Sequence, residues 1–571
     1  MLQLIPAING EYVSGEGTFA LPDLVIMAPE FPAVNKVFEQ RVSRLKDYKV
    51  EAGKEPVIAL IKEKLGEEAY RLEIMPEKVT VYAEGETGYS NALASLYQLL
   101  ANGKGTVSCC SFSDTPKYGK RGLMLDACRH FFSVEEIKKI LEQCALLKLN
   151  HFHWHLSEDQ GFRIESKKFP QLNQISSYRK LNEKDPLVEK GIDTAGKRYG
   201  GFYTQEEIKD LVGFAADRQI EIIPEIDLPG HTVAILAAFP EYSCSGEALE
   251  VANTFGVFER VFCAGKEESY HFLYELLDEV CGLFPSKFIH IGGDEVPKSE
   301  WHICEKCNHV MKEKNFSNYE QLQAYFTGKI IGHLKGKGKV PIVWNEAAAS
   351  GELDENAIIQ YWMEMAPGAS YVVPEFSKGR KLILSSMNQL YCSSYADVPL
   401  KTMLLYEPEV KGTPVPAENV LGIEMALWTE WTPENEDIER MLYPRLHSLA
   451  ESAWTRERHY DSFIERLKGY LQVEALNQLK GTPWEEATIH GPAALDMIVR
   501  GMLEMGERYG RMEKEGGGKA EAVIPDGVEK IDPADMTKLF IYDKMKAAYS
   551  EEEIMQVQDR LLKAMMNRKE R

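Results

Sequence analysis

Phe288-Ile289-His290-Ile291-Gly292-Gly293-Asp294-Glu295 sets the reading of the whole chain. An apolar run stops at two glycines, and two carboxylates follow directly. The run has the length and composition of a short buried strand, and Pro297 blocks strand pairing beyond it. Two adjacent carboxyls facing one cavity cannot both ionise freely, because like charge and lost solvation raise at least one pKa. A proton donor then coexists with an anion at neutral pH, which suits acid-catalysed cleavage of an acetal. A lone Asp-Glu pair is more often a solvated turn. The strands on either side of this one decide otherwise.

From Lys120 onward, strand and helix patterns alternate. Strands are predicted at Gly122–Asp126, Asn150–Leu156, Glu221–Ile226, Phe288–Ile291, Pro341–Trp344, Ala357–Tyr361, Lys381–Ser385 and Val420–Leu427. Helical spacing falls between most of them, at Ser133–Leu147, Thr204–Arg218, Tyr270–Gly282 and Tyr319–Leu334. Ser133 with Glu136, and Thr204 with Glu207, have the sequence of a capping box. Eight alternating strands predict an α/β fold, a (β/α)8 TIM barrel spanning residues 116–456. Such barrels build their sites at strand C-terminal ends, and the polar and aromatic residues of this chain gather there. Asp126 and Arg129 follow the first strand, His155 and Asp159 the second, Asp227 and His231 the third. Asp294 and Glu295 follow the fourth, and Trp344, Glu346, Trp362, Tyr391, Trp428 and Glu430 the later ones.

Residues 1–115 read as a small N-terminal α/β domain, with a strand at Val79–Tyr82 and a helix from Tyr89 to Leu100. Residues 457–571 read as a helical C-terminal region, broken at Gly516-Gly517-Gly518 and punctuated by Pro525 and Pro533. Leu495–Arg508 and Glu551–Met566 look amphipathic there, and the charge runs Glu551–Glu553 and Arg568–Arg571 read as solvated faces. This region is expected to pack on the barrel or on a second subunit, as in a homodimer.

The 571 residues carry a net charge of −22, with 44% hydrophobic and 27% charged residues. Those are globular proportions, and the acidity argues against nucleic-acid or anionic-membrane surfaces. No apolar run approaches a membrane span, and Met1-Leu2-Gln3-Leu4-Ile5-Pro6 lacks the pattern of a signal peptide. Ten scattered cysteines, several in core elements (Cys128, Cys144, Cys281), fit a reducing compartment. The expectation is a cytoplasmic, bacterial protein.

Several segments together carry a resemblance. They are Arg121–Asp126 with Arg129-His130-Phe131, His153-Trp154-His155-Leu156-Ser157-Glu158-Asp159-Gln160-Gly161-Phe162-Arg163, and Ile223–His231. The Gly-Gly-Asp-Glu stretch, Trp428-Thr429-Glu430, Pro444-Arg445 and Ala450-Glu451 complete the set. In this order, over roughly residues 5–455, the sequence resembles family 20 glycoside hydrolases, the β-N-acetylhexosaminidases. The resemblance implies an exo-acting retaining enzyme that removes terminal β-linked GlcNAc, with GalNAc as a further candidate; 6-sulfated GlcNAc is added by a departure from the family at Ser393. The substrate's own 2-acetamido oxygen attacks C1 in that family and forms an oxazolinium ion.

Residue by residue, the resemblance makes Glu295 the general acid and base, Asp294 the partner of the acetamide N–H, and Tyr391 a donor to the acetamide oxygen. Trp344, Trp362 and Trp428 match aromatic walls around the acetamide and the sugar face, although any single tryptophan is more often core. Arg129 and Glu430 match a grip on the 3- and 4-hydroxyls. Asp159, Asp227 and His231 match a polar network beside the acid. His155, like most buried histidines, is a weaker candidate for that network. Where relatives carry Tyr-x-Asp, this chain has Tyr391-Cys392-Ser393. Loss of the aspartate charge at Ser393 predicts tolerance of a 6-substituent such as sulfate, unless Asp397 or a shifted loop replaces the contact.

Two other readings stand beside this one: release of a disaccharide such as lacto-N-biose, and a non-catalytic glycan-binding barrel. Arg129 and Glu430, closing the site around one terminal sugar, argue against the first. The complete set of Asp294, Glu295, Tyr391 and three tryptophans argues against the second. His302-Ile303-Cys304-Glu305-Lys306-Cys307-Asn308-His309 holds four residues of metal-ligating type. Without a second, distant pair it reads as a packed loop or redox-sensitive dithiol rather than a zinc site. No metal and no cofactor is therefore expected.

Overall fold

The computed structural model describes residues 2–363, 368–393, 398–410, 412–488 and 548–569, together with 499, 503, 545 and 546. Eight parallel strands close into a barrel: β1 (Lys120–Asp126), β2 (His151–His155), β3 (Glu221–Glu225), β4 (Phe288–His290), β5 (Val340–Trp344), β6 (Ile358–Tyr361), β7 (Leu382–Leu384) and β8 (Val420–Leu427), with β8 pairing back onto β1. Each follows its neighbour in sequence, as helix-linked parallel strands must.

Alternation along the strands sorts side chains between barrel interior and helical shell. On β2, Phe152 and Trp154 join the main apolar core, while His151, His153 and His155 face buried carboxylates. The interior is layered. Ile223, Phe288, Ile342, Ile358 and Ile383 fill one apolar tier. Glu424 forms the next, bonded by His151 (2.7 Å), His153 (2.9 Å) and Gln360 (2.6 Å). Gly122 makes room there, since a Cβ on it would lie 1.9 Å from His151 Nε2. Buried charges survive because each is paired and hydrogen-bonded.

A seven-stranded mixed sheet, containing Tyr70–Met75 and Lys78–Ala83, precedes the barrel. The helix Glu86–Asn102 covers it and also packs against the barrel helix Val134–Leu146. Buried ion pairs fix the junction: Arg121 reaches both oxygens of Glu68 (2.7 and 2.8 Å), and Lys148 lies 3.0 Å from Asp114. Thr204 closes a complete capping box with Glu207. Ser133 does not: it accepts from the Glu136 N–H, but the Glu136 carboxylate turns to Lys139 instead of returning to the cap.

The helix Tyr460–Asn477 packs on Glu86–Asn102, so this part of the C-terminal region leans on the N-terminal domain as well as the barrel. Arg466 ties it there, donating to Leu4 O and pairing with Glu451. A further helix, Glu551–Lys569, buries Ile554, Val557 and Leu561 in a small cluster that reaches Met387 beside the barrel mouth. Most of Leu495–Arg508, the Gly516–Gly518 break, Pro525 and Pro533, Glu570 and Arg571, and Asp397 lie outside the described residues. Among the described residues, no helix is long and apolar enough to cross a membrane.

Candidate active site

The turn after β4 needs its glycines. Gly292 and Gly293 adopt φ of 62° and 103°, and Glu295 follows at 47°, a left-handed conformation uncommon for a side-chain-bearing residue. A Cβ on Gly292 would sit 1.6 Å from Asp227 Oδ1. The missing side chain therefore lets the β3 carboxyl lie against the β4 turn, where the Gly293 N–H donates to it at 3.0 Å.

Asp294 is buried, and its Oδ1 has no hydrogen-bond partner among the described residues. Burial pushes its pKa up to about 6, with the Glu295 charge adding to the rise. Asp227 beside it is raised well above the carboxylate range, by burial first and by the Asp294 charge second. It keeps its proton at neutral pH, and its Oδ2 is buried without a hydrogen-bond partner among the described residues. Glu295 is the more open of the adjacent carboxyls, its side chain 21% exposed. One buried neighbour and one half-open one is the asymmetry that acid chemistry requires.

His231 links this pair to a deeper charge network. Its Nδ1 donates to Glu158 (2.7 Å) and Asp159 (3.2 Å), and its Nε2 lies 3.4 Å from Glu295 and 3.9 Å from Asp294. Burial alone would lower its pKa. The Glu158 charge and contacts with Asp159 and Glu295 outweigh burial and hold an imidazolium. Asp159 is raised to about 6 by burial and by Glu158. Arg129 pairs with Glu158 (3.1 Å) and Asp126 (3.5 Å) and lies 4.9 Å over the Trp428 ring. Its Nε and Nη1 are buried without a hydrogen-bond partner among the described residues. Glu430 is buried within its electrostatic reach.

The strands β5 to β8 supply an aromatic half. Trp344, Trp362 and Tyr391 cluster with Met124, Met363 and Ala426, and Trp428 packs against them. Trp362 stacks on Tyr391 at 11° and 6.1 Å, and Trp344 and Trp428 lie 6.0 Å apart. Each indole has a reason for its angle: Trp344 Nε1 donates to Glu225 (2.8 Å) and Trp362 Nε1 to Glu346 (2.9 Å). Burial, reinforced by the Asp294 and Glu295 charges, raises Glu346 well above the usual range. Tyr391 is likewise raised by burial and stays a neutral phenol. Ser393 is buried, and its hydroxyl has no hydrogen-bond partner among the described residues.

All thirteen expected side chains thus fall on the C-terminal face of the barrel. Sequence reasoning missed the layer beneath them. Glu225 receives His155 and Trp344, while His290 Nδ1 lies 2.8 Å and His153 Nε2 3.1 Å from it. His155 also donates to Glu158 (3.2 Å) and meets Trp428 edge-on at 5.0 Å, so it joins the charged half to the aromatic half. The signal was present as His at every second position of β2. The structure also corrects one premise in the reading of the cysteines, the lack of a distant pair. Cys304 and Cys307 do have a distant pair beside them, Cys244 and Cys263, whereas His309 points to solvent and His302 packs on Tyr319.

A barrel with this mouth defines a class, and comparison with known proteins places the chain within it. The model of the glycosyl hydrolase family 20 catalytic domain matches residues 118–457, and that of the family's domain 2 matches residues 1–115. The chain belongs to glycosyl hydrolase family 20. It is 35% identical over 430 residues to a beta-hexosaminidase of Porphyromonas gingivalis, a match that covers 71% of this chain but only 53% of that enzyme. It is 30% identical over 470 residues to a beta-N-acetylhexosaminidase of Cellulomonas fimi, covering 78% of this chain and 88% of the other. The crystal structure of an exo beta-N-acetylglucosaminidase from Vibrio harveyi, in complex with N-acetylglucosamine, superposes with a TM-score of 0.75. Identity there is 29%, with 85% of this chain and 79% of that one covered.

Proposed function

We propose that the protein is an exo-acting, retaining β-N-acetylhexosaminidase that hydrolyses terminal β-linked GlcNAc by substrate-assisted catalysis. The observation that carries this reading is one barrel mouth that combines the adjacent Asp294 and Glu295 with an aromatic enclosure of Trp344, Trp362, Tyr391 and Trp428.

In this mechanism the acetamide oxygen attacks C1 as the bond from C1 to the leaving oxygen breaks. Glu295, the half-open carboxyl, gives its proton to that oxygen. Asp294 orients the acetamide N–H and balances the positive charge of the forming oxazolinium; Tyr391 donates to the acetamide oxygen. The tryptophans confine the acetamide in its attacking conformation, which supplies proximity in place of a protein nucleophile. Water then adds to C1, returning a proton to Glu295 and giving retained configuration. Glu346, which also faces this pair, is unsuited to attack C1, because burial keeps it protonated and the Trp362 indole bonds to it. Asp159, Asp227, His231 and His155 act through Glu295 and Asp294, as positioning residues. Arg129 and Glu430 bind the 3- and 4-hydroxyls of a terminal sugar by charge-assisted hydrogen bonds.

Release of aryl leaving group from matched β-GlcNAc and β-glucoside substrates tests the reading, with a thiazoline analogue of the oxazolinium added. Cleavage of the first alone, blocked by the thiazoline, is the expected result. Equal cleavage of both would require a protein nucleophile and overturn the mechanism.

Ser393 supports a finer proposal, acceptance of a 6-substituted GlcNAc, because its buried hydroxyl stands unpartnered among the described residues. A cytoplasmic, bacterial setting is supported by ten free thiols and by bacterial relatives. Association as a homodimer through the C-terminal helices is a further proposal, which sedimentation of the whole chain measures.

A further inference from the structure

Cys244, Cys263, Cys304 and Cys307 come from two loops far apart in sequence, yet their sulfurs all lie within 4.8 Å of one another. Three separations are 3.6 Å (Cys263 to Cys307), 3.7 Å (Cys263 to Cys304) and 3.8 Å (Cys244 to Cys307). A disulfide needs about 2.0 Å between sulfurs. Four thiolates held tetrahedrally at about 2.3 Å from a zinc ion stand about 3.8 Å apart, as the edge of that tetrahedron. The observed spacing is that of the tetrahedron. We propose that these four cysteines bind a structural zinc ion, which fastens the loop after β3 to the loop after β4.

The surrounding backbone is shaped for it. Ser243 and Phe262 form an antiparallel bridge, and the Cys263 N–H donates to Tyr242 O (2.9 Å), which brings the first two cysteines together. Cys304 caps the helix Glu305–Glu313 and Cys307 lies in its first turn. Gly265 presses on that turn: a Cβ there would lie 2.3 Å from the Lys306 carbonyl carbon and 2.5 Å from the Cys307 nitrogen. Cys263 and Cys307 are fully buried, and the other two sit at the rim of the cluster. The residues are all sulfur donors, the set that zinc takes in closed structural sites with no open position.

The two loops also carry the chemistry. Asp227 and His231 begin the first, and Asp294 and Glu295 begin the second. The Phe262 N–H donates to Pro229 O (3.1 Å), and the Trp301 indole donates to Phe262 O (3.0 Å). The zinc would thus brace the backbone two residues from His231, at a distance from the sugar.

Elemental analysis of the whole chain, purified without a polyhistidine tag or added metal, tests this directly. About one zinc per chain is expected, with X-ray absorption giving four sulfur neighbours near 2.3 Å. Cobalt substitution should give sulfur-to-cobalt charge transfer and the intense d–d bands of a tetrahedral site. Cys244→Ser and Cys263→Ser should lose the metal, while Cys110→Ser and Cys281→Ser keep it. If the first two variants do not fold, the wild-type absorption spectrum decides alone. Zinc below about 0.2 per chain, both as purified and after anaerobic reduction with added zinc, would overturn the assignment. So would iron in that position, or disulfides joining these cysteines that persist through reduction under native conditions.

Discussion

The two halves of the barrel mouth are built on opposite principles. The half formed by β1 to β4 is a chain of coupled charges: Arg129 meets Glu158, Glu158 and Asp159 meet His231, His231 meets Asp294 and Glu295, and Asp227 meets Asp294. The half formed by β5 to β8 is an aromatic wall in which the Trp344 and Trp362 indole N–H groups are tied off on Glu225 and Glu346. The difference teaches how labour is divided. Protons and developing charge are handled where the electrostatics are tunable, whereas shape is held where side chains are stiff and apolar.

Breaking the charged half at its open end should have the largest effect. Glu295→Gln is expected to lower kcat by roughly 10³-fold or more with a poor leaving group, and by less with an activated aryl group that leaves without protonation. Binding of GlcNAc, measured by calorimetry, should persist.

Asp294→Asn comes next, with a loss of about 10²-fold in kcat/KM. Because burial raises Asp294 to about 6, the wild-type rate should fall as pH drops through that value. The asparagine variant should lack this acid limb. Stability supplies the opposite sign. A carboxyl raised from its ordinary value to about 6 favours the folded state below about pH 4, and that contribution is lost as pH rises through 6. Asp294→Asn should therefore raise Tm at pH 8 and leave it nearly unchanged at pH 4, as calorimetry would record.

The aromatic half should respond differently. Trp362→Phe keeps an apolar ring but removes the donor to Glu346. A rise in KM of about 3- to 10-fold, with an unchanged pH profile, would set it apart from the charged side. A shifted profile would show that the halves are coupled through Glu346. Ser393→Asp should have the smallest effect on plain GlcNAc glycosides, within about threefold, yet reduce turnover of 6-sulfated ones by about tenfold. Equal ratios in both proteins would remove Ser393 from any account of 6-substituent tolerance.

Most of the barrel was legible because buried parallel strands are short apolar runs bounded by turns, and residues such as Ile289 and Ile342 give each run its signature. The site was legible for the same reason: Asp294, Trp344 and Trp428 stand where such runs stop. Glu225, Glu424 and His290 were not, since a charged residue inside a strand looks like an interruption until its partners from other strands are seen. The pairing of Cys244 with Cys263 depends on one bridge and on the close approach of Gly265, neither of which leaves a local pattern. Ser133 shows the converse, a cap sequence whose second half was diverted by Lys139.

Glu225 takes hydrogen bonds from the floor of both halves, His155 on one side and Trp344 on the other, and it belongs to a barrel strand rather than to a loop. The floor beneath both halves is thereby part of the closed barrel itself, one step below the turns that carry Asp294 and Glu295. A change at that one carboxylate would reach the charged and the aromatic half at once, whereas a change at a single indole or carboxyl of the mouth would reach one of them.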